Sequence, residues 1–399
     1  MMPKVHKKPD WKTGPVVSGV TWIMQPLSIW LDAMLQQVVH LCPFYLKDSW
    51  HLLNDIKKLK PMKGYKFVIS DADSFYTNIN TEHAIETLEK WFKLHKDELP
   101  EGFPVQLILL GIRRLMENNV FTFGSRFFVQ TNGTAMGTNV ACMYATIYYS
   151  YYEETELRFL PYNKFYRRLI DDSLIIVDAD TSWEHLKSKM NNFGPVEKRL
   201  TWTTEKLSDT VNFLDLTLTI QEDGTITYKT FQKPDNYFLY RTPDSCQPAN
   251  ILTSFVFSTL QRYYHQNTFT ADYDHFTEFL FHNMMERGHI NHSLRKIFTT
   301  QSEKARNSKM PHGTRTPPIY ISNNTRTKTR RIFVHAPHHP NNPAHHELTS
   351  FANTLKEAIN KEREEGLDRI IIAYSKATNI GSLCKKHQLE QHINTHHRN

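Results

Sequence analysis

Cysteine is scarce: Cys42, Cys142, Cys246 and Cys384 are the only four in 399 residues, and no two form a Cys-x-x-Cys pair. That argues against a disulfide framework and points to a reducing compartment. No apolar run approaches the ~20 residues that a bilayer-spanning helix needs, and no secretory-type apolar segment opens the chain. The expectation is a soluble, intracellular protein with no membrane partner. Internal repeats are absent. The glycine segment Gly133-Thr-Ala-Met-Gly137-Thr138 is not followed by the Gly-Lys-Ser/Thr of a phosphate-cradling P-loop.

What is present is room, ordinary apolar content and an uneven charge. A chain of 399 residues holds two or three compact units and a sizeable core, and 40% hydrophobic residues is typical of globular proteins. Residues 1–66 carry ten Lys against four acids, and residues 301–399 carry sixteen Lys and Arg against eight acids. With +7 overall, residues 67–300 hold a net −7. An acidic centre between basic flanks suits a metal-dependent site whose surroundings grip phosphate backbones. A solvated surface with local asymmetry would give the same distribution.

Apolar spacing predicts a helix over 26–41 and another near 50–59, stopped by Pro61. A strand over 66–79 follows, then a helix from Thr81, whose hydroxyl is placed to cap it, through Leu94. Residues 104–118 read as a helix, 120–130 as a hairpin around Gly124, and 140–154 as a helix. Strands are expected at 200–204, 211–219 and 226–231, after a helix near 181–192. Three short helices (249–266, 271–287 and 290–298) form a helical block, with Gly288 ending the second. Residues 307–342 are polar, with proline, histidine and the basic run Arg326-Thr-Lys-Thr-Arg330-Arg331, and read as a linker. A helix over 347–364 and a strand over 369–374 suggest a small terminal unit.

The chemistry is concentrated in three segments. In Phe165-Tyr-Arg-Arg-Leu-Ile-Asp171-Asp172-Ser-Leu-Ile-Ile-Val177, two acids sit between two apolar runs and should occupy a tight hairpin turn. Alone, an Asp-Asp turn is more often structural, because Asp favours turns. A second apolar strand, Lys66-Phe-Val-Ile-Ser-Asp71, also ends in an acid, and the glycine segment lies between the two. Strand-end Asp, Gly loop into a helix, then Asp-Asp hairpin is the order found in the palm of template-copying polymerases. Phosphoryl transfer with two divalent ions needs carboxylates converging from separate strands. Asp71 and Asp171 are therefore the candidate bridging ligands, with Asp172 in a weaker contact and Asp73 beside the site. Mg²⁺ is the expected ion, two per site, with Mn²⁺ as a substitute.

Tyr76, five residues after Asp71, reads as a ring beneath the sugar of an incoming nucleotide, selecting deoxynucleotides, or as a core aromatic. Gly133 and Gly137, with Met136, would let backbone approach template and nucleotide closely. Val211-Asn-Phe213-Leu214-Asp215-Leu reads as a buried strand or as the hairpin that holds a primer end. The histidines of 335–346, with Cys384 and the histidines of 387–397, match no recognised zinc-finger spacing, and read as a cationic surface or a metal site.

These residues resemble the reverse transcriptase of Penelope-like retroelements. Pro3-Lys-Val-His-Lys7 and Gly14-Pro-Val-Val-Ser18 look like its Pro-Lys-Ile-His-Lys and Arg-Pro-Ile-Val-Ser finger motifs. Asp71-Ala-Asp-Ser-Phe-Tyr-Thr-Asn-Ile79 is similar to its motif A, Gly133–Thr138 to motif B, Ile170-Asp171-Asp172 to motif C and Phe213-Leu-Asp-Leu216 to motif E. Lys229 to Pro248 resembles the lead into its helical, helix-turn-helix-like thumb. The resemblance implies an α+β right-hand polymerase: partial fingers over 1–65, palm over 66–235, thumb over 236–300 and a basic extension over 301–399. It implies an RNA-directed DNA polymerase working on an RNA template, a DNA primer and deoxynucleoside triphosphates, and a nuclear location. Gly14 stands where the family has an arginine for the triphosphate, so Lys4 or Lys12 is the expected substitute. Leu169 replaces the aromatic residue usual before Ile-Asp-Asp. The family's GIY-YIG nuclease is not in the sequence, as in an endonuclease-lacking or truncated copy. The alternatives are a reverse transcriptase of another group, such as a telomerase-like or retron-like enzyme, and a decayed copy that binds nucleic acid without polymerising.

Overall fold

The computed structural model of the chain describes residues 24–123, 126–131, 133–134, 136–157, 164–192, 200–234, 236–245, 250–309 and 353, together with the backbone of the strands Met2–Pro3, Thr13–Gly14, Arg331–Pro337 and Arg369–Ser375. Its elements in chain order are α1 (Gln25–Gln36), α2 (Ser49–Ile56), β1 (Tyr65–Ala72), α3 (Thr81–Leu94), α4 (Val105–Glu117), β2 (Val120–Phe123), β3 (Arg126–Val129), α5 (Ala141–Thr155), β4 (Phe165–Leu169), β5 (Asp172–Asp178), α6 (Trp183–Asn192), β6 (Trp202–Thr204), β7 (Thr210–Phe213), β8 (Leu216–Ile220), β9 (Ile226–Thr230), α7 (Asn250–Gln266), α8 (Thr270–Glu286) and α9 (Asn291–Arg306). Helices segregated from antiparallel sheets make this an α+β fold.

The central sheet runs β4-β5-β1-β6 and every neighbour is antiparallel. Its inner strands are buried on both faces, which is why they read as unbroken apolar runs. Strand alternation sends Val68, Ile175 and Val177 into one core, shared with α1, α3, α4 and α5. The alternate residues Phe67, Ile69, Leu174 and Ile176 enter a second core with Leu52, Leu53 and Ile56 of α2 and the inner face of the β9-β8-β7 sheet. Burial of each such side chain contributes about 1.5–3 kcal/mol, so the sheet's register is strongly specified.

Helix ends follow local chemistry. Asp48 caps α2 by accepting from the His51 N–H at 2.9 Å, and Asn80 caps α3 by accepting from the His83 N–H at 3.1 Å. The cap of α3 is thus Asn80, not Thr81, which lies inside the first turn. The strand expected over 66–79 ends at Ala72, because Ser74 turns into the left-handed region and Phe75–Asn78 form one helical turn. The strand expected over 211–219 is broken at Leu214-Asp215 into the β7–β8 hairpin. Helix α9 runs on to Arg306, and the segment read as a linker contains Arg331–Pro337, paired in parallel with Arg369–Ser375. Gly124, between β2 and β3, and the helix expected over 347–364 lie outside the described residues except at 353.

The chain divides into two compact units. The first takes residues 1–237, 262–277 and 308–318, and holds both sheets described above. The second takes residues 238–261, 278–307 and 319–399. In it the Arg287 Nε donates to the Tyr240 carbonyl at 2.8 Å, Phe281 meets Phe298 edge-on at 5.3 Å, and Gly288, at φ +91°, ends α8.

Candidate active site

Asp71 and Asp172 face each other across β1 and β5 as register partners. Opposed residues of an antiparallel pair carry Cβ atoms about 4.5–5.5 Å apart on the same face. Both belong to the face that carries Phe67, Ile69, Leu174 and Ile176, so the apolar run of each strand ends at a carboxylate. Asp171 is not in a strand: Leu169 pairs with Asp172, leaving Ile170 and Asp171 as the two-residue turn of the β4–β5 hairpin. The Asp171 carbonyl accepts from the Ala72 N–H at 3.0 Å, which joins the turn to the end of β1. All three carboxylates are partly buried.

The Asp172 carboxyl is pushed up to about 6, first by burial and then by the charges of Asp171 and Asp71, with Lys233 opposing. Asp73 points to β6 instead: its Oδ2 accepts from the Thr203 hydroxyl at 3.2 Å and its N–H donates to the Thr201 carbonyl. Lys233 was not singled out from sequence. The signal for it was available, since it follows β9 in the Lys229–Pro248 segment.

Tyr76 and the glycine loop lie together. The Tyr76 carbonyl accepts from the Thr134 N–H at 2.6 Å, and its ring meets Phe75 edge-on at 5.7 Å. The Tyr76 hydroxyl is held well above the usual phenol range by burial first, then by Cys142 and the Asp171 charge. Cys142, at the start of α5, is thus a neighbour of Tyr76 that sequence spacing did not reveal. Gly133 is buried at φ +79° against the Thr77 backbone, so it serves the docking of this loop on the turn after β1. Gly137, at φ +100°, is exposed and Met136 is partly exposed.

The β7–β8 hairpin divides its residues. Phe213 is 2% exposed and belongs to the core, whereas Leu214, at φ +57°, sits on the turn. The Asp215 carboxylate accepts from the Ser49 hydroxyl and, at 2.7 Å, from the Gln266 amide, tying the hairpin to α2 and α7. Lys4 and Lys12 lie outside the described residues, as do the histidines beyond residue 337 and Cys384.

Among the described residues, no three His, Cys, Asp or Glu side chains form a ready-made metal cage. The oxygen donors Asp71, Asp171 and Asp172 lie at one end of the sheet, Asp71 and Asp172 opposed in register and Asp171 on the adjoining turn. Such a set fits a hard divalent cation that keeps its waters and takes its remaining ligands from phosphates. Among the described residues, no helix is long and apolar enough to cross a membrane.

No family profile matches the chain, and no curated protein does. Solved structures do resemble it. The telomerase of Candida albicans, in complex with a fragment of telomeric RNA, is 10% identical with a TM-score of 0.48, over 72% of this chain and 54% of that one. The RNA-dependent RNA polymerase of a human picobirnavirus is 13% identical with a TM-score of 0.45, over 75% and 57%. A truncated apo telomerase of Candida tropicalis is 15% identical with a TM-score of 0.38, over 53% and 46%. The chain spans about half the length of these structures. At such values the likeness assigns no activity, which rests on the chain's own residues.

Proposed function

We propose that this chain is an RNA-directed DNA polymerase of the Penelope-like kind, which extends a DNA primer on an RNA template with deoxynucleoside triphosphates. The observation that carries the reading is the pairing of Asp71 with Asp172, with Asp171 on the adjoining turn. The two strands and the turn that carry the three carboxylates lie near the segment where the Gly133–Thr138 loop docks, at Tyr76 and Thr77.

Asp71 and Asp171 would hold two Mg²⁺ ions, with Asp172 beside them. Bound there, such ions supply charge that activates a primer 3′-hydroxyl and neutralises departing pyrophosphate. The chain's own residues do the rest. Asp171, fixed to β1 through its carbonyl, would keep its carboxylate beside the Asp71–Asp172 pair. Tyr76 offers a ring beside Asp171, where a ribose 2′-hydroxyl would meet it. Gly137 leaves its stretch of loop without a side chain, open to a base. Leu214, partly buried on the turn of the β7–β8 hairpin and packed against the core that holds Phe213, would be the residue of that hairpin to meet a primer. Basic flanks around an acidic centre suit backbone binding, and an intracellular, nuclear site of action belongs to the same reading.

Primer extension on RNA and DNA templates, with Mg²⁺ or Mn²⁺ and each class of nucleotide, tests the proposal. Deoxynucleotide addition on RNA that stops in Asp171→Asn is the expected result. Template binding without any addition would favour a repurposed nucleic-acid-binding copy.

A further inference from the structure

Arg168 is 1% exposed, Glu153 is fully buried, and the two form a bidentate pair: Nε to Oε1 at 2.5 Å and Nη2 to Oε2 at 3.0 Å. The rest of the guanidinium is spent on backbone. Nη2 donates to the Thr146 carbonyl of α5 at 3.1 Å, and Nη1 donates to the Ile170 carbonyl at 2.7 Å. Its plane lies near the rings of Tyr149, at 5.2 Å, and Phe75, at 5.9 Å. Tyr166 also donates to Glu153 Oε1, at 2.7 Å, so the acid is fixed from two sides.

Ile170 itself sits at φ +58°, a conformation that a β-branched residue rarely adopts. Such a backbone persists only when its surroundings over-determine it, and here they do so on two successive carbonyls. Arg168 holds that of Ile170, and the Ala72 N–H holds that of Asp171.

From this arrangement we infer that Arg168 is a positioning residue, which holds Ile170 in its left-handed conformation and so sets Asp171 on the turn beside the Asp71–Asp172 pair. The inference deepens the proposed polymerase and rests on that reading of Asp171. One planar fork joins the turn after β1 (Phe75), helix α5 (Thr146, Glu153) and the β4–β5 turn (Ile170). A lysine, with a single point charge, cannot make these bonds together.

The test compares wild type, Arg168→Lys and Arg168→Lys/Ile170→Gly in the full chain. Two quantities are read: the rate constant for single-nucleotide addition, and amide hydrogen exchange at Ala72, which reports the turn without needing catalysis. Arg168→Lys should slow addition by about 100-fold, the scale of a 1 Å misplacement, while template–primer affinity stays within about twofold. Exchange at Ala72 should quicken by about tenfold or more. Glycine adopts positive φ unaided, so Ile170→Gly in the lysine background should return about tenfold of the lost rate; core stabilisation by Arg168 alone predicts no such rescue. Unchanged Ala72 exchange with an unchanged rate overturns the inference, and so does loss of rate without rescue. If wild type adds no nucleotide, the polymerase reading fails and exchange alone decides: faster in Arg168→Lys supports the positioning role, unchanged overturns it. Should Arg168→Lys not fold, Glu153→Gln, which breaks the bidentate anchor of the guanidinium, is read by the same two measurements.

Discussion

The position that a Cβ would occupy on Gly133 lies 2.7 Å from the carbonyl oxygen of Thr77 and 2.8 Å from its Cα. The loop before α5 therefore rests on the backbone of the turn after β1, one residue from Tyr76. Alanine at Gly133 meets that backbone directly and must also hold φ +79°. The left-handed conformation alone costs roughly 1–2 kcal/mol for a residue with a Cβ, before the clash is counted. Gly133→Ala should lose about 2 kcal/mol or more in urea unfolding, and should add nucleotides more slowly because Tyr76 shifts with Thr77. An alanine variant as stable as wild type would mean that the loop docks elsewhere.

The two acids nearest each other in the first motif should behave differently. Asp71 faces Asp172, whereas Asp73 is bonded to Thr203 on β6. Asparagine at Asp73 keeps an oxygen for that hydroxyl, so Asp73→Asn should slow primer extension by less than about tenfold. Asp71→Asn and Asp171→Asn each remove a charge from the cluster and should cost about 10²–10³-fold or more. Circular dichroism should be unaltered in all three. Equal damage at Asp71 and Asp73 would show that the carboxylates were paired wrongly.

Much of this site could be read from the sequence because Asp71 closes one apolar strand and Asp172 opens another. Phe67-Val-Ile and Leu174-Ile-Ile-Val are buried on two faces, and an acid just after the first run (Asp71) and just before the second (Asp172) marks where the sheet leaves its core. The hairpin turn was legible too, although Asp172 opens β5 and only Asp171 is in the turn. Other features depend on contacts between residues distant in sequence. Arg167 and Arg168 look alike in the chain, yet alternation sends the first to Asp55 at 2.8 Å and the second to Glu153. No local pattern predicts that the second will hold a carbonyl of the turn. Phe213 and Leu214 illustrate the same limit: a strand pattern cannot place the break that puts one in the core and the other on a turn. Nor does a glycine declare whether it clears space for a ligand or, like Gly133, for a neighbouring backbone.

Asp172 gives a pH signature that needs no substrate. Its carboxyl titrates near 6, above the ordinary value of 3.8, chiefly because burial and then Asp171 and Asp71 disfavour its charge. The folded protein therefore binds more protons than the unfolded chain between about pH 4 and pH 6, and stability falls as pH rises through that window. In metal-free buffer, Asp172→Asn should escape this loss. It should match wild type below about pH 4 and exceed it above pH 7 by about 1–2 kcal/mol, allowing for the residue's partial access to solvent. Adding Mg²⁺ at pH 7.5 should raise the melting temperature of wild type and leave Asp171→Asn nearly unmoved. Parallel pH–stability curves for wild type and Asp172→Asn would remove the claim that the three carboxylates feel one another.

If the chain is the proposed polymerase, Tyr76 is the residue to test for the choice of sugar. Its ring packs on Phe75, its carbonyl anchors Thr134, and its half-buried side chain lies within reach of the Asp171 charge. On the proposed reading, a nucleotide held by Asp71 and Asp171 would bring its 2′-hydroxyl against this ring. Tyr76→Ala should raise ribonucleotide incorporation relative to deoxynucleotide by about tenfold or more, the scale on which a pocket discriminates by shape. Tyr76→Phe keeps the ring and loses the hydroxyl, so its ratio should stay near wild type if the ring is the barrier. Competition between the two nucleotide classes at one template position measures both variants. A ratio unchanged in Tyr76→Ala would make Tyr76 a packing residue of the turn after β1. A ratio raised equally in Tyr76→Phe would move the discrimination from the ring to its hydroxyl and to Cys142 beside it.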